Sequence, residues 1–294
     1  MVSNMNEKHF AVFDKEFHTI LTSDSTPVKL AGGLRFTEGP AWSDALGCLL
    51  FSDIPADTIY RWSEAGGLAT WRCPSSNANG NTIDARGRLV TCEHGSRRVT
   101  CTDSDGSIIT LSDKHDGKRL NSPNDAVVKS DGTIWFTDPP YGIKKDLVEQ
   151  DANYVFRLDP GSSEAVPVCG TLQMPNGLCF SPDESLLYVA DSSLERHHIR
   201  VFEVTAENTL QGGEVFAAIE PGVPDGMRTD TCGRLYSTAG DGVHVFSPGG
   251  KLLGKILVPE VTANCEFGGT DRSTLFMTAS TSLYCIRLAA EGCR

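Results

Sequence analysis

The sequence has no apolar run approaching the roughly 18–20 residues that a membrane-spanning helix needs. Its first segment, Met1 to Lys15, is polar and mixed in charge, without the apolar centre of a signal peptide. A cytoplasmic chain without a membrane partner is expected. Cations are scarce: 26 Lys and Arg stand against 38 Asp and Glu, for a net charge of −12. The basic footprint of a nucleic-acid binder is therefore missing. No C-x-x-C pair occurs among the ten cysteines (48, 73, 92, 101, 169, 179, 232, 265, 285 and 293). That excludes a zinc knuckle. They read as reduced, buried small hydrophobes, as Cys179 does in Gly177-Leu178-Cys179-Phe180. No G-x-S-x-G elbow, P-loop or Rossmann glycine pattern appears. The helical periodicity of a solenoid is absent as well.

What is present is an internal repeat. Six times a polar residue stands beside a glycine or small residue and opens a short strand. The starts are Glu38-Gly39-Pro40-Ala41-Trp42, Asn79-Gly80-Asn81-Thr82-Ile83, Asn124-Asp125-Ala126-Val127-Val128, Asn176-Gly177-Leu178-Cys179-Phe180, Asp225-Gly226-Met227-Arg228-Thr229 and Asn264-Cys265-Glu266-Phe267. They recur every 40–50 residues or so, the length of a four-stranded propeller blade. A turn such as Asp84-Ala85-Arg86-Gly87 follows, then a β-rich strand such as Leu186-Leu187-Tyr188-Val189-Ala190-Asp191. A third strand is visible in segments such as Tyr154-Val155-Phe156-Arg157-Leu158. The expected fold is all-β: a six-bladed β-propeller, each blade a four-stranded antiparallel sheet.

The last unit lacks a fourth strand, and Val28-Lys29-Leu30 is a spare β segment. Its insertion would close the last blade and remove an open edge. One propeller domain over residues 1–294 is expected, with 1–26 as an N-terminal arm. Phe10, Phe13, Phe17, Ile20 and Leu21 sit at near-helical spacing, which predicts a short helix or arm packed outside. Tyr141 to Asn153 is the longest irregular stretch and reads as a loop overhanging one face.

In a propeller, residues at one register of the inner strands converge on the axis. Glu38, Asn79, Asn124, Asn176, Asp225 and Asn264 share that register in the repeat, and each carries a side-chain oxygen. Asn-Gly and Asp-Gly are ordinary turn dipeptides, but a turn alone would tolerate Ser or Gly at the first position. A hard cation takes carboxylate and amide oxygens, and Glu38 with Asp225 would balance a 2+ charge. Calcium is the expected ion; magnesium, manganese and zinc remain open. Glu93-His94 ends a strand and is a candidate to point into the mouth. Asp138 and Tyr141 open the long loop, whereas Asp191 reads as a strand-end turn residue.

The segments Glu38-Gly39-Pro40-Ala41-Trp42, Arg119-Leu120-Asn121-Ser122-Pro123-Asn124-Asp125, Trp135-Phe136-Thr137-Asp138-Pro139-Pro140-Tyr141-Gly142, Pro175-Asn176-Gly177 and Pro224-Asp225-Gly226-Met227 give the chain a resemblance. It resembles the family of senescence marker protein 30, gluconolactonases and luciferin-regenerating enzyme, the bacterial gluconolactonases above all, from about Gly33 to Leu288. The resemblance implies a metal ligated by Glu38, Asn176 and Asp225, with Asn124 as a fourth or near ligand. It also implies hydrolysis of a sugar lactone of the glucono-1,5-lactone kind. Some members place Arg two residues before the Asn of the third unit; here that position is Ser122, and Arg119 lies upstream. The candidate substrate contacts are Asn79, Asn124, Arg119, Asn121, His94 and Tyr141. Asp225 is the candidate general base and Glu38 chiefly a ligand, in a monomer or homodimer. Two alternatives stand beside this reading: another metal-dependent lactone or phosphoester hydrolase on the same scaffold, and a propeller that only binds a ligand.

Overall fold

The structure, a computed structural model, describes residues 8–293; the first seven residues of the expected arm lie outside the described residues. Six antiparallel sheets succeed one another as blades. Blade 1 holds Thr37–Ser43, Cys48–Asp53, Thr58–Ser63 and Gly67–Arg72. Blade 2 holds Ala78–Ile83, Leu89–Glu93, Arg98–Thr102 and Ile108–Ser112. Blade 3 holds Ala126–Val128, Ile134–Asp138, Tyr154–Leu158 and Val166–Cys169. Blade 4 holds Pro175–Phe180, Leu186–Asp191, His198–Val204 and Leu210–Ala218. Blade 5 holds Met227–Thr229, Leu235–Ala239, Gly242–Phe246 and Leu252–Leu257. Blade 6 takes Thr262–Gly268, Thr274–Ala279 and Ser282–Arg287 from the end of the chain, and Val28–Gly32 pairs outside them, Val28 opposite Cys285. The first strand of each blade touches the first strand of the next, and the cycle closes from blade 6 to blade 1.

Strand alternation explains why this ring is stable. Successive side chains face opposite sides of a sheet, so each blade offers an apolar surface to both neighbours. In blade 2, Leu89 packs with Ala41 and Leu50 of blade 1, whereas Val90 and Cys92 pack with Ala126 and Phe136 of blade 3. Similar clusters fill the remaining junctions. At the closure, Trp42 of blade 1 stacks on Phe276 of blade 6, with ring centroids 5.7 Å apart. The turns after the inner strands follow from the sequence: Asp84 Oδ1 accepts the N–H groups of Arg86 and Arg88, and Asp230 Oδ1 those of Cys232 and Arg234.

One expectation is met in a particular form and one is corrected. The short helix or arm expected over Phe10 to Leu21 is a strand followed by a 3-10 helix, packed outside blade 5. Phe10–Val12 is a strand that extends blade 5 by pairing with Leu252–Leu257, and Lys15–Ile20 is a 3-10 helix. Phe10, Phe17 and Ile20 are buried against blades 5 and 6, so the apolar spacing served packing of an irregular segment, and Phe13 is exposed. The cysteines are not uniformly buried: Cys48, Cys92, Cys101, Cys179 and Cys265 are, but Cys73 and Cys232 are exposed. Cys73 and Cys232 lie in bends and turns, outside the strands.

Candidate active site

Each inner strand begins at the same end of the ring, and the register of the repeat falls there. Glu38, Asn79, Asn124, Asn176 and Asp225 are the equivalent residues of blades 1 to 5. Glu38, Asn79, Asn124 and Asn176 are buried. The sixth equivalent is Ala263, not Asn264. The hydroxyls of Ser52, Thr137 and Thr238 donate across to the next blade, to the carbonyls of Asn79, Asn176 and Ala263 respectively. Likewise Gly80 N–H donates to Asn124 O at 2.8 Å and Gly226 N–H to Ala263 O at 2.7 Å. The blade 6 strand pair carries the same one-residue irregularity as those of blades 1, 2 and 4, but its ring position is the apolar Ala263, and the adjacent Asn264 mimics a ring residue in the sequence.

The residue after the ring position is Gly39, Gly80, Gly177 and Gly226 in four blades. These glycines lie at the starts of inner strands and make no hairpin turn. Neighbouring blades approach so closely there that a Cβ on Gly177 would lie 2.1 Å from Asp225 O. In the other two blades this deeper position carries Asp125 and Asn264, both buried. Asn264 Nδ2 donates to Glu38 Oε2 at 3.1 Å and to Asp125 Oδ2 at 3.2 Å. Further along the inner strands Arg228 pairs with Glu266 at 2.7 Å. Sequence reasoning missed Asp125, Arg228 and Glu266 as a charged layer; the available signal was the departure from glycine in the third and sixth units.

The electrostatics of the ring are unfavourable to free carboxylates. Burial, then the neighbouring Asp125, pushes the Glu38 carboxyl above its ordinary range. Burial, then Glu38, does the same to Asp225, only partly offset by a hydrogen bond from Asn176. Burial works against the Arg228 charge, but Glu266 and Asp125 hold its guanidinium above its ordinary pKa. Asp225 Oδ1 is buried and takes no hydrogen bond among the described residues.

His94 joins the ring, since Asn79 Nδ2 donates to its Nε2 at 3.1 Å. Burial lowers its pKa to about 4, so the imidazole is neutral at pH 7. Glu93 does not share the mouth: it is buried in a structural network with Arg72, Arg98 and Thr100. Tyr141 is partly exposed, with its hydroxyl near Ser192 and Asn176, and burial together with the Asp225 charge raises its pKa. Arg119 lies on a two-stranded hairpin formed by Lys114–His115 and Lys118–Arg119, and its guanidinium donates to Ser96 O at 2.9 Å. Asn121 is fully buried and its amide donates to Asp138 O at 3.0 Å. Neither of these two bonds to a ring residue. Ser122 accepts from Gly142 N–H and donates to Pro139 O, which fastens the start of the long loop.

Asp53, Asp138 and Asp191 end the second strands of blades 1, 3 and 4 and serve one purpose. Asp191 accepts the N–H groups of Gln173 and Met174, Asp53 those of Arg35 and Phe36, and Asp138 that of Asn121. They fix the segment that leads into each inner strand. Burial raises the pKa of Asp138 to about 7.

Among the described residues no three His, Cys, Asp or Glu side chains are grouped to hold a metal ion. The ring offers a different donor set: two carboxylates and three amides. The orphaned Asp225 Oδ1 beside a second buried carboxylate fits a hard divalent cation, which would satisfy the first and neutralise the pair. The opposite end of the inner strands opens into a separate cavity of about 530 Å³, lined by Trp42, Ile83, Val128, Phe180, Arg228 and Glu266 among others. The ring residues are not among its walls.

A family model described as "SMP-30/Gluconolactonase/LRE-like region" matches residues 36–281. A gluconolactonase of Zymomonas mobilis subsp. mobilis is 33% identical, over 91% of this chain and 83% of its own length. The solved structure of a gluconolactonase from Xanthomonas campestris superposes with a TM-score of 0.90 at 36% identity, covering 95% of this chain and 94% of that one. A luciferin-regenerating enzyme shares the fold, with a TM-score of 0.79 at 18% identity over 91% of this chain and 97% of its own.

Proposed function

We propose, from the premise that the chain belongs to the SMP-30/gluconolactonase/LRE-like family, that this lactonase-type hydrolase is metal-dependent and opens a sugar lactone of the glucono-1,5-lactone kind. The observation that carries the reading is the pair of a buried Glu38 and a half-buried Asp225 whose Oδ1 is itself buried and orphaned. Glu38, Asn176 and Asp225 would hold the ion, with Asn124 beside them. A divalent cation, calcium for an all-oxygen donor set, supplies Lewis-acid polarisation of the lactone carbonyl.

The chain's own groups do the rest. Asp225 accepts a proton from the water that adds to the carbonyl carbon. The ring C–O bond then breaks, and that proton passes to the leaving oxygen, giving the open aldonic acid. Glu38 is held as a ligand because its Oε2 is already bonded to Gly39 N–H and Asn264. Neutral His94 fixes the Asn79 amide, and the Tyr141 hydroxyl lines the same mouth as a substrate contact. The reading includes a cytoplasmic location, in keeping with ten unpaired cysteines.

Asp225→Asn tests the assignment. It keeps the side-chain volume and removes one carboxylate from beside the buried Glu38 and Asp125. Turnover is expected to fall by roughly 10²–10⁴-fold, while the chelated variant melts at or above the wild-type temperature. Near-wild-type turnover would remove Asp225 from the base role.

A further inference from the structure

We infer that Asn264 is a positioning residue that sets the Glu38 carboxylate for cation binding; the inference rests on the metal-dependent reading above. Asn264 stands at the register where four blades carry glycine, so it places a side chain in the channel where those blades have none. Its orientation is fixed from both ends. Oδ1 accepts the Cys265 N–H at 2.9 Å, which leaves Nδ2 facing the carboxylates. Nδ2 then bridges Glu38 Oε2 at 3.1 Å and Asp125 Oδ2 at 3.2 Å.

The bridge does two things. With the Gly39 N–H at 2.6 Å it occupies Oε2 of Glu38, leaving Oε1 as the oxygen for a ligand. It also places a donor directly between two buried carboxylates, Glu38 and Asp125, which the Arg228 charge further along the inner strands favours as well. Sterics hold the amide in place: it lies so close to Gly226 that a Cβ there would overlap Asn264 Cγ. A residue that orients a ligand without touching the ion typically changes metal affinity by roughly 10–100-fold when removed.

The test is calorimetric titration of calcium chloride into chelator-stripped protein: wild type, Asn264→Ala and Asn264→Ser, with the melting temperature of each stripped protein recorded. Wild-type protein that binds no divalent cation defeats the metal-dependent reading itself. If wild type binds, the Ala variant is expected to bind at least about tenfold more weakly. The Ser variant, which keeps one shorter donor, is expected to fall between the two. Should the Ala variant fail to fold, a weakening of about threefold or more in the Ser variant supports the role. Wild-type calcium affinity in either variant, folded, overturns it.

Discussion

The hydroxyl of Ser52 donates to the carbonyl of Asn79 at 2.7 Å, a bond that crosses from the second strand of blade 1 to the inner strand of blade 2. Ser52 Oγ also accepts from Asn81 Nδ2 at 2.8 Å. The ring is therefore held by side chains of the second strands as well as by the inner strands.

Ser52→Ala removes a buried hydroxyl and its bonds to Asn79 O and Asn81 Nδ2, while Asn81 Nδ2 keeps Gly39 O at 2.8 Å and Asn79 O at 3.0 Å. A loss of about 0.5–1.5 kcal/mol is expected in urea denaturation. Ser52→Thr keeps the hydroxyl, and Thr137 and Thr238 already make the same bond in blades 3 and 5. It is expected to stay within about 1.5 kcal/mol of wild type. Equal stability of the Ala variant and wild type would show that the bond is dispensable.

Gly177→Ala introduces a Cβ 2.1 Å from the carbonyl oxygen of Asp225. That atom is backbone and cannot rotate away, so blades 4 and 5 must separate. A loss of about 1–3 kcal/mol or more is expected, seen as a lower melting temperature, together with loss of lactone hydrolysis. Unchanged melting and activity would contradict the close approach.

Much of this was legible in the sequence. The repeat gave the blade count, the inner strands, the closing segment Val28–Gly32 and five of the six ring positions, because strand alternation and turn chemistry are local. What was illegible depends on tertiary geometry. Blade 6 holds Ala263 at the ring position, without a polar side chain, so the adjacent Asn264 takes its place in the sequence pattern; the extra residue in that strand pair recurs in blades 1, 2 and 4. The glycines resemble turn residues in sequence, yet their reason is a neighbouring backbone some forty residues away, as Gly80 N–H to Asn124 O shows. Arg119 and Asn121 sit in a matching motif, but the carbonyls they bond are those of Ser96 and Asp138.

Glu260 joins the last blade to its closing strand. Oε1 accepts from Ser282 and Tyr284, Oε2 from the N–H and hydroxyl of Thr281, and Lys29 of the closing strand lies 3.4 Å away. Burial pushes its pKa up, but these donors prevail and hold it at about 2. The folded pKa lies below the unfolded value of about 4.3. Its contribution is thus fully present above about pH 5 and is lost as pH falls towards 2. Glu260→Gln is expected to cost about 1–3 kcal/mol at pH 7. The gap between wild type and variant should narrow between pH 5 and pH 3 in urea denaturation. A gap that does not change with pH would mean the charge is not what stabilises the closure.

The most direct measurement is the rate of glucono-1,5-lactone hydrolysis by chelator-stripped protein, with and without added calcium, after subtraction of spontaneous ring opening. The account predicts that turnover disappears on stripping, returns with calcium, and does not return in Asp225→Asn. Full turnover by protein shown to be free of divalent ions would contradict the central claim.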